Sequence, residues 1–266
     1  MSGAGITAAV GADAISLAGR HVVVTGGGRG VGRAIAESVL ALGASVTVVD
    51  RDPAGLEELE AQHGARLMGA VADVVDEAAA ARCVDATLER FGRIDGLVNN
   101  AGILRPALIE KMTMQQWREV IDVHLTGTFI WTQLVGEHML ARAEAGHPGG
   151  AIVNISSDAG RTGTVGQLNY AAAKSGLLGM TMATAREWGR FGVRCNSVGF
   201  GVIETAMTET IRGERFGAAT LARIPLGRWG QVEEAAHPVC FLLSDAASYI
   251  TGQHLFANGG MFISLA

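Results

Sequence analysis

Residues 21–36 read His-Val-Val-Val-Thr-Gly-Gly-Gly-Arg-Gly-Val-Gly-Arg-Ala-Ile-Ala. A β-branched run passes into glycines and then into helix-forming residues. Val22, Val23 and Val24 in succession suit a strand covered on both faces, as in a parallel sheet. The glycines allow a tight turn and let an anion approach bare backbone. The helix that follows would offer free N–H groups and the positive end of its dipole to that anion. The spacing is T-G-x-x-x-G-x-G rather than G-x-G-x-x-G, and a glycine turn alone is a weak signal. Its place between strand and helix strengthens it. Gly26, Arg29, Gly30, Val31 and Gly32 are the candidate phosphate-cradling residues.

The same rhythm continues outward. Short runs rich in Val and Ile occur at 45–49, 94–99, 151–156 and 193–198, with a weaker one at 66–71. Between them, 31–42, 54–63, 77–91, 114–143 and 168–190 read as helices, the longest with candidate breaks at Gly127 and Gly136. This alternation predicts an α/β fold, a doubly wound parallel sheet flanked by helices on both faces. Residues 17–266 are expected to form one domain behind a flexible tail, 1–16, which lacks the basic-then-apolar pattern of a secretory leader. Residues 201–226 break the rhythm, as a substrate lid would. The stretch from 254 reads as a last strand plus an interface.

Composition narrows the functions. The chain has 266 residues, 48% of them hydrophobic, and a formal net charge of −5. That balance carries no electrostatic footprint for nucleic acid or an anionic membrane. No apolar run approaches the roughly 20 residues that span a bilayer. Cys83, Cys195 and Cys240 lie far apart without a CxxC, which fits a reduced, cytoplasmic setting and three small buried side chains, with no metal site.

Asp50 closes the second strand and is followed by Arg51. A carboxylate there accepts from adenosine ribose hydroxyls and repels a 2′-phosphate, favouring NAD over NADP. Arg29 and Arg51 pull toward the phosphorylated form, and the fixed carboxylate is weighed more heavily. Further on, Tyr170 and Lys174 stand four apart, on one face of a helix. A cation about 4 Å from a phenol, at an effective dielectric of about 20, is worth roughly 4 kcal/mol. That is about 3 pKa units, enough to bring tyrosine toward the range of a general base. Ser157, at the carboxyl end of the 151–156 strand, is placed to hydrogen-bond a substrate oxygen while Tyr170 handles its proton.

With TGGGRGVG at 25–32, Asp73 in VADV, NNAG at 99–102, Ser157, YAAAK at 170–174 and a tail YITGQ…NGGMF at 249–262, residues 17–266 resemble the short-chain dehydrogenase/reductase family. The closest likeness is to 3-oxoacyl-acyl-carrier-protein reductases and catabolic alcohol dehydrogenases. The resemblance implies a Rossmann fold, a homotetramer and an oxidoreductase that interconverts a secondary alcohol and a ketone with NAD or NADP. It implies that Tyr170 is the general acid/base, that Lys174 binds the nicotinamide ribose and lowers the tyrosine pKa, and that Ser157 orients the substrate. It places Asn99, Ala101 and Gly102 along the cofactor and Asp73 and Val74 at the adenine. Gly201, Ile203 and Thr205 match the segment that holds the nicotinamide carboxamide and a phosphate.

Two departures stand out. His124 occupies the place of an asparagine that holds a proton-relaying water; either it joins the relay, with an unperturbed pKa near 6.5, or it fills the same hole. Phe200 replaces a proline before Gly201, to stack near the ring or to pack in the core. Pro238 inside a helical segment is a further irregularity. Gln167 and Met207, with Leu104, Arg105 and Phe216, are expected on the substrate side, a mostly apolar set suited to a compact hydrophobic or cyclic alcohol or ketone. The competing readings are a catalytically weak dinucleotide-binding regulator, and the same base used for dehydration or epimerisation.

Overall fold

In the computed structural model, residues 12–263 are described, and most of the expected tail lies outside them; Ala12–Ala14 form a 3-10 turn. Seven parallel strands follow: β1 (His21–Thr25), β2 (Ser45–Asp50), β3 (Leu67–Val71), β4 (Gly96–Asn99), β5 (Ala151–Ser157), β6 (Arg194–Phe200) and β7 (His254–Ala257). Their order is β3-β2-β1-β4-β5-β6-β7, so the direction of winding reverses between β1 and β4. That reversal opens a crevice at the carboxyl ends of the strands, where ligands bind in such sheets.

The helices are α1 (Gly30–Ala41), α2 (Pro53–His63), α3 (Glu77–Phe91), α4 (Met114–Ile121), α5 (Gly127–Glu144), α6 (Ala159–Thr162), α7 (Leu168–Trp188), α8 (Glu209–Arg212), α9 (Gly217–Leu221) and α10 (Val232–Leu243). Strand residues alternate between two apolar layers. Val22, Val24, Val46 and Val48 face Ile35, Leu59 and Val239 of α1, α2 and α10. Val23, Val49 and Ile152 face Val84, Trp131 and Val135 of α3 and α5. Both faces of the sheet are thus dry, which is why its strands are valine-rich without polar alternation.

The expected strands all form, with ends shifted by a few residues. The expected 114–143 helix is not broken at Gly127 or Gly136. It carries instead a π-helical turn, Asp122–Thr126, between α4 and α5. Such turns add a residue to the helix and are frequent at functional sites. Gly136 has a packing reason: a β-carbon there would lie 2.3 Å from the Trp188 ring. Phe200 packs in the core, the second of its two expected places. Pro238 sits within α10.

Candidate active site

The cradle forms as the glycine pattern requires. Gly26 and Gly30 have positive φ, 63° and 55°. A β-carbon on Gly32 would stand 2.2 Å from the Gly26 carbonyl and 2.4 Å from Asn100 Nδ2. Arg29 is the N-cap of α1 and no side chain caps the helix, so its first N–H donors are uncommitted to any cap. Val31 and Gly32 lie in that first turn. Gly30 comes within 3.7 Å of Thr205 Cγ2, measured from where its β-carbon would be, so the segment after β6 meets the cradle across the cleft. Gly201 and Ile203 lead into that segment, and Ile203 is paired to Gly230.

Asp50 ends β2 beside the cradle. Its Oδ2 accepts from Gly28 N at 3.0 Å and its Oδ1 from Asp52 N at 3.1 Å. Arg51 pairs with Asp73 at 3.5 Å on the surface. Val74, next to Asp73, is buried against α5, where a β-carbon on Gly127 would come within 2.9 Å of it.

At the end of β4, Asn99 ties the sheet together through its amide. Its Nδ2 donates to Thr132 at 3.1 Å and to Asn154 Oδ1 at 2.9 Å, bracing β4 against α5 and β5. The amide inside the otherwise apolar run AIVNIS was the available sign of this partner. Asn100, not singled out in the sequence, shapes the cradle: its Nδ2 donates to the carbonyls of Thr25 and Gly26, at 3.0 and 2.9 Å. Ala101 lies against Gly26, whose β-carbon would stand 2.7 Å from the Ala101 Cα.

Ser157, Tyr170 and Lys174 converge. Ser157 is the last residue of β5. Tyr170 lies in the first turn of α7, where Asn169 fixes the backbone: its Oδ1 accepts from Tyr170 N, and its Nδ2 holds the carbonyls of Arg105 and Gln116. The Ser157 side chain lies near enough to the Tyr170 hydroxyl to act on its ionisation. Lys174, one turn on, is buried, with Nζ donating to the Ile155 carbonyl and 5.6 Å from the centre of the Tyr170 ring. Gln167 is the N-cap of α7, and Met207 lies half-exposed in the turn Ala206–Thr208.

The electrostatics correct the expectation for this pair. Burial pushes the Tyr170 phenol above its ordinary value, and Ser157 offsets this only in part. Lys174 is pushed down to about 7 by burial. Desolvation acts on both charged forms, so in the polypeptide itself it outweighs the attraction inferred from spacing.

His124 sits on the π-helical turn, buried, with its ring edge-on to Tyr170 at 5.3 Å. Its Nε2 lies 3.1 Å from Ile103 N and 2.9 Å from the Ile103 carbonyl, so the tautomer decides whether it accepts from the one or donates to the other; Nδ1 is buried and has no hydrogen-bond partner among the described residues. Burial first, and then the charge of Lys174, lower its pKa to about 3. The expected ionisation between about pH 6 and 7 is therefore not a property of this histidine. The ring also explains Gly102, where a β-carbon would stand 2.5 Å from His124 Cε1.

A glycine cradle at the switch point of a parallel sheet, beside a Ser-Tyr-Lys group, defines an oxidoreductase class that acts on CH–OH groups with a nicotinamide dinucleotide. The chain belongs to the short-chain dehydrogenase/reductase family: residues 26–262 match the family model described as enoyl-(acyl carrier protein) reductase. Among similar proteins, the 3-oxoacyl-[acyl-carrier-protein] reductase FabG of Aquifex aeolicus is 41% identical over 252 residues, covering 93% of this chain and 99% of that one. The FabG proteins of Salmonella typhimurium and Escherichia coli are 39% and 38% identical, each over 249 residues, covering 94% of this chain and all of theirs. No helix among the described residues is long and apolar enough to cross a membrane.

Proposed function

We propose that this enzyme interconverts a secondary alcohol and a ketone with Tyr170 as the general acid/base and NAD as its preferred dinucleotide. The observation that carries the reading is the convergence of Tyr170 and Ser157, with Lys174 buried one turn away, its Nζ 5.6 Å from the centre of the Tyr170 ring. A carbonyl oxygen seated between the two hydroxyls receives a hydrogen bond from Ser157 and the proton of Tyr170. Burial keeps the phenol protonated near neutrality, the form needed to quench a developing alkoxide. Alcohol oxidation uses the same residues in reverse. His124 stays neutral beside Tyr170 and adds no charge to the site.

The residues fit a dinucleotide. A β-carbon would fill the cradle at Gly26 or Gly32, and α1 begins without a side-chain cap, leaving donors for a pyrophosphate. Gly26, Arg29, Gly30, Val31 and Gly32 would hold that group, Asp73 and Val74 the adenine, and Gly201, Ile203 and Thr205 the nicotinamide end. When bound, the dinucleotide supplies or accepts the hydride. The Asp50 carboxylate, pinned by two backbone N–H groups beside the cradle, would repel a 2′-phosphate, and Arg51 is drawn to Asp73; both support NAD.

Residues 201–226 would cover the substrate, with Gln167 and Met207 at its edge. Exposed Phe129, Met182 and Leu255 support self-association, which we take to be a homotetramer, in a cytoplasmic setting. The relatives' name favours a second substrate within the same chemistry, a 3-oxoacyl group carried on acyl-carrier protein. A panel of ketones and 3-oxoacyl thioesters, run with both dinucleotides, tests the reading. Tyr170→Phe is expected to lose about 10²- to 10⁴-fold in turnover while still binding the dinucleotide. Undiminished turnover in that variant overturns it.

A further inference from the structure

The residue after Ser157 is Asp158, whose half-buried carboxylate has no part in the proton chemistry above. Asn258 Nδ2 donates to both of its oxygens, at 2.9 and 3.1 Å. Asn258 opens the turn that follows β7. Its Oδ1 accepts from Gly260 N at 3.0 Å, and its carbonyl from Met261 N at 3.1 Å.

That turn grips both ends of the 201–226 segment. At the far end, Leu226 N donates to the Gly259 carbonyl at 3.1 Å. β-Carbons on Gly259 and Gly260 would stand 2.8 Å from Ile224 and 2.9 Å from Pro225. At the near end, Gly201 N donates to the Ala257 carbonyl at 3.4 Å, and a β-carbon on Gly201 would lie 2.8 Å from Asn258. The two roots of the segment therefore meet on one turn, and the Asp158–Asn258 side-chain pair ties that turn to the residue beside Ser157.

We propose that the Asp158–Asn258 pair is a clasp that positions the roots of the 201–226 lid over Ser157 and so sets the affinity for substrate. The proposal rests on the reading of Ser157 and Tyr170 given above. Asp158 and Asn258 are positioning residues, since neither needs to touch the reacting atoms.

The charges around the clasp decide its pH response. Arg223 faces it from the lid and Arg161 from α6, the latter lying over the rings of Phe256 and Phe262. From β7, His254 is held neutral by burial and by Arg161, at about 4. Tyr170 of α7, beside Ser157, stays protonated. Burial pushes the Asp158 carboxyl up to about 6, more than Asn258 and Arg223 offset. Opening the clasp to water would return it to its ordinary value, 3.8. A higher pKa in the clasped state means that proton binding favours that state, so acid tightens the clasp and a rise through about 6 loosens it.

The test is amide hydrogen exchange across residues 201–226 of the full chain, with steady-state kinetics alongside. Asp158→Ala and Asn258→Ala should each speed exchange at residues 224–226 and raise KM about ten-fold, the worth of one hydrogen bond, while kcat stays within about three-fold. Asp158→Asn keeps an acceptor for Asn258. It should retain slow exchange and near-native KM but lose the change in corrected exchange rate between about pH 5 and 7. Exchange and KM unchanged in both alanine variants overturn the clasp, as does a wild-type pH response in Asp158→Asn. If one alanine variant fails to fold, the other and the asparagine variant decide. If the wild type turns over no ketone, the proposed reaction fails, while the exchange measurements still decide the clasp.

Discussion

His124→Asn offers a sharp check on the electrostatics of the site, because the effect is read as a difference of differences. In the unfolded chain the imidazole titrates near 6.5, and in the folded protein near about 3. A histidine with a depressed folded value costs nothing above its unfolded pKa, and its penalty grows as pH falls below that value. Near pH 7 the penalty is about 0.2 kcal/mol; near pH 5 it is about 2 kcal/mol, from 1.36 kcal/mol per unit. Urea unfolding of wild type and variant at the two pH values gives four stabilities. The packing change caused by the shorter side chain enters equally at both pH values and cancels, as do the contributions of buried His21 and His254. The variant should therefore lose about 2 kcal/mol less than wild type between neutral and acid conditions. Identical losses would mean that the ring titrates freely in the folded protein, and the account of its burial would be wrong.

Two further outcomes concern the cofactor and the lysine. Asp50→Ala removes the pinned carboxylate and should raise the efficiency with NADP relative to NAD by about ten-fold or more, read as a ratio of kcat/KM values; an unchanged ratio would place cofactor choice elsewhere. Lys174, lowered to about 7, should give the free enzyme an ionisation near that pH in its kcat/KM profile. Lys174→Arg should remove that ionisation and His124→Asn should leave it in place; the reverse pattern would return the titration to the histidine.

The layout of the sheet was legible because both of its faces are buried, so each strand is a run of Val and Ile bounded by Gly, Asp or Asn. The cradle was legible for a related reason: at Gly26 and Gly32 no other side chain fits. The helix across residues 114–143 was harder. Nothing in Asp122–Thr126 distinguishes a π-helical turn from an α-helical one, and Gly127, which looked like a break, is where the helix passes Val74. In the site, spacing placed Tyr170 and Lys174 on one face but said nothing of their desolvation, which governs the direction of both pKa shifts. Asn99 and Asn100 are indistinguishable in sequence; only the pleat of β4 decides that one braces the sheet and the other the cradle. Asp158 passed unnoticed because its partner is 100 residues away.

The ring of His124 and the bare α-carbon of Gly102 occupy one volume between them. Position 102 is not free to vary alone: a methyl group there has nowhere to go until the imidazole has been replaced by something shorter. Any lineage or library that explores this corner must therefore travel in a set order, 124 before 102, and a scan of single substitutions would score Gly102 as immutable when it is only waiting on its neighbour.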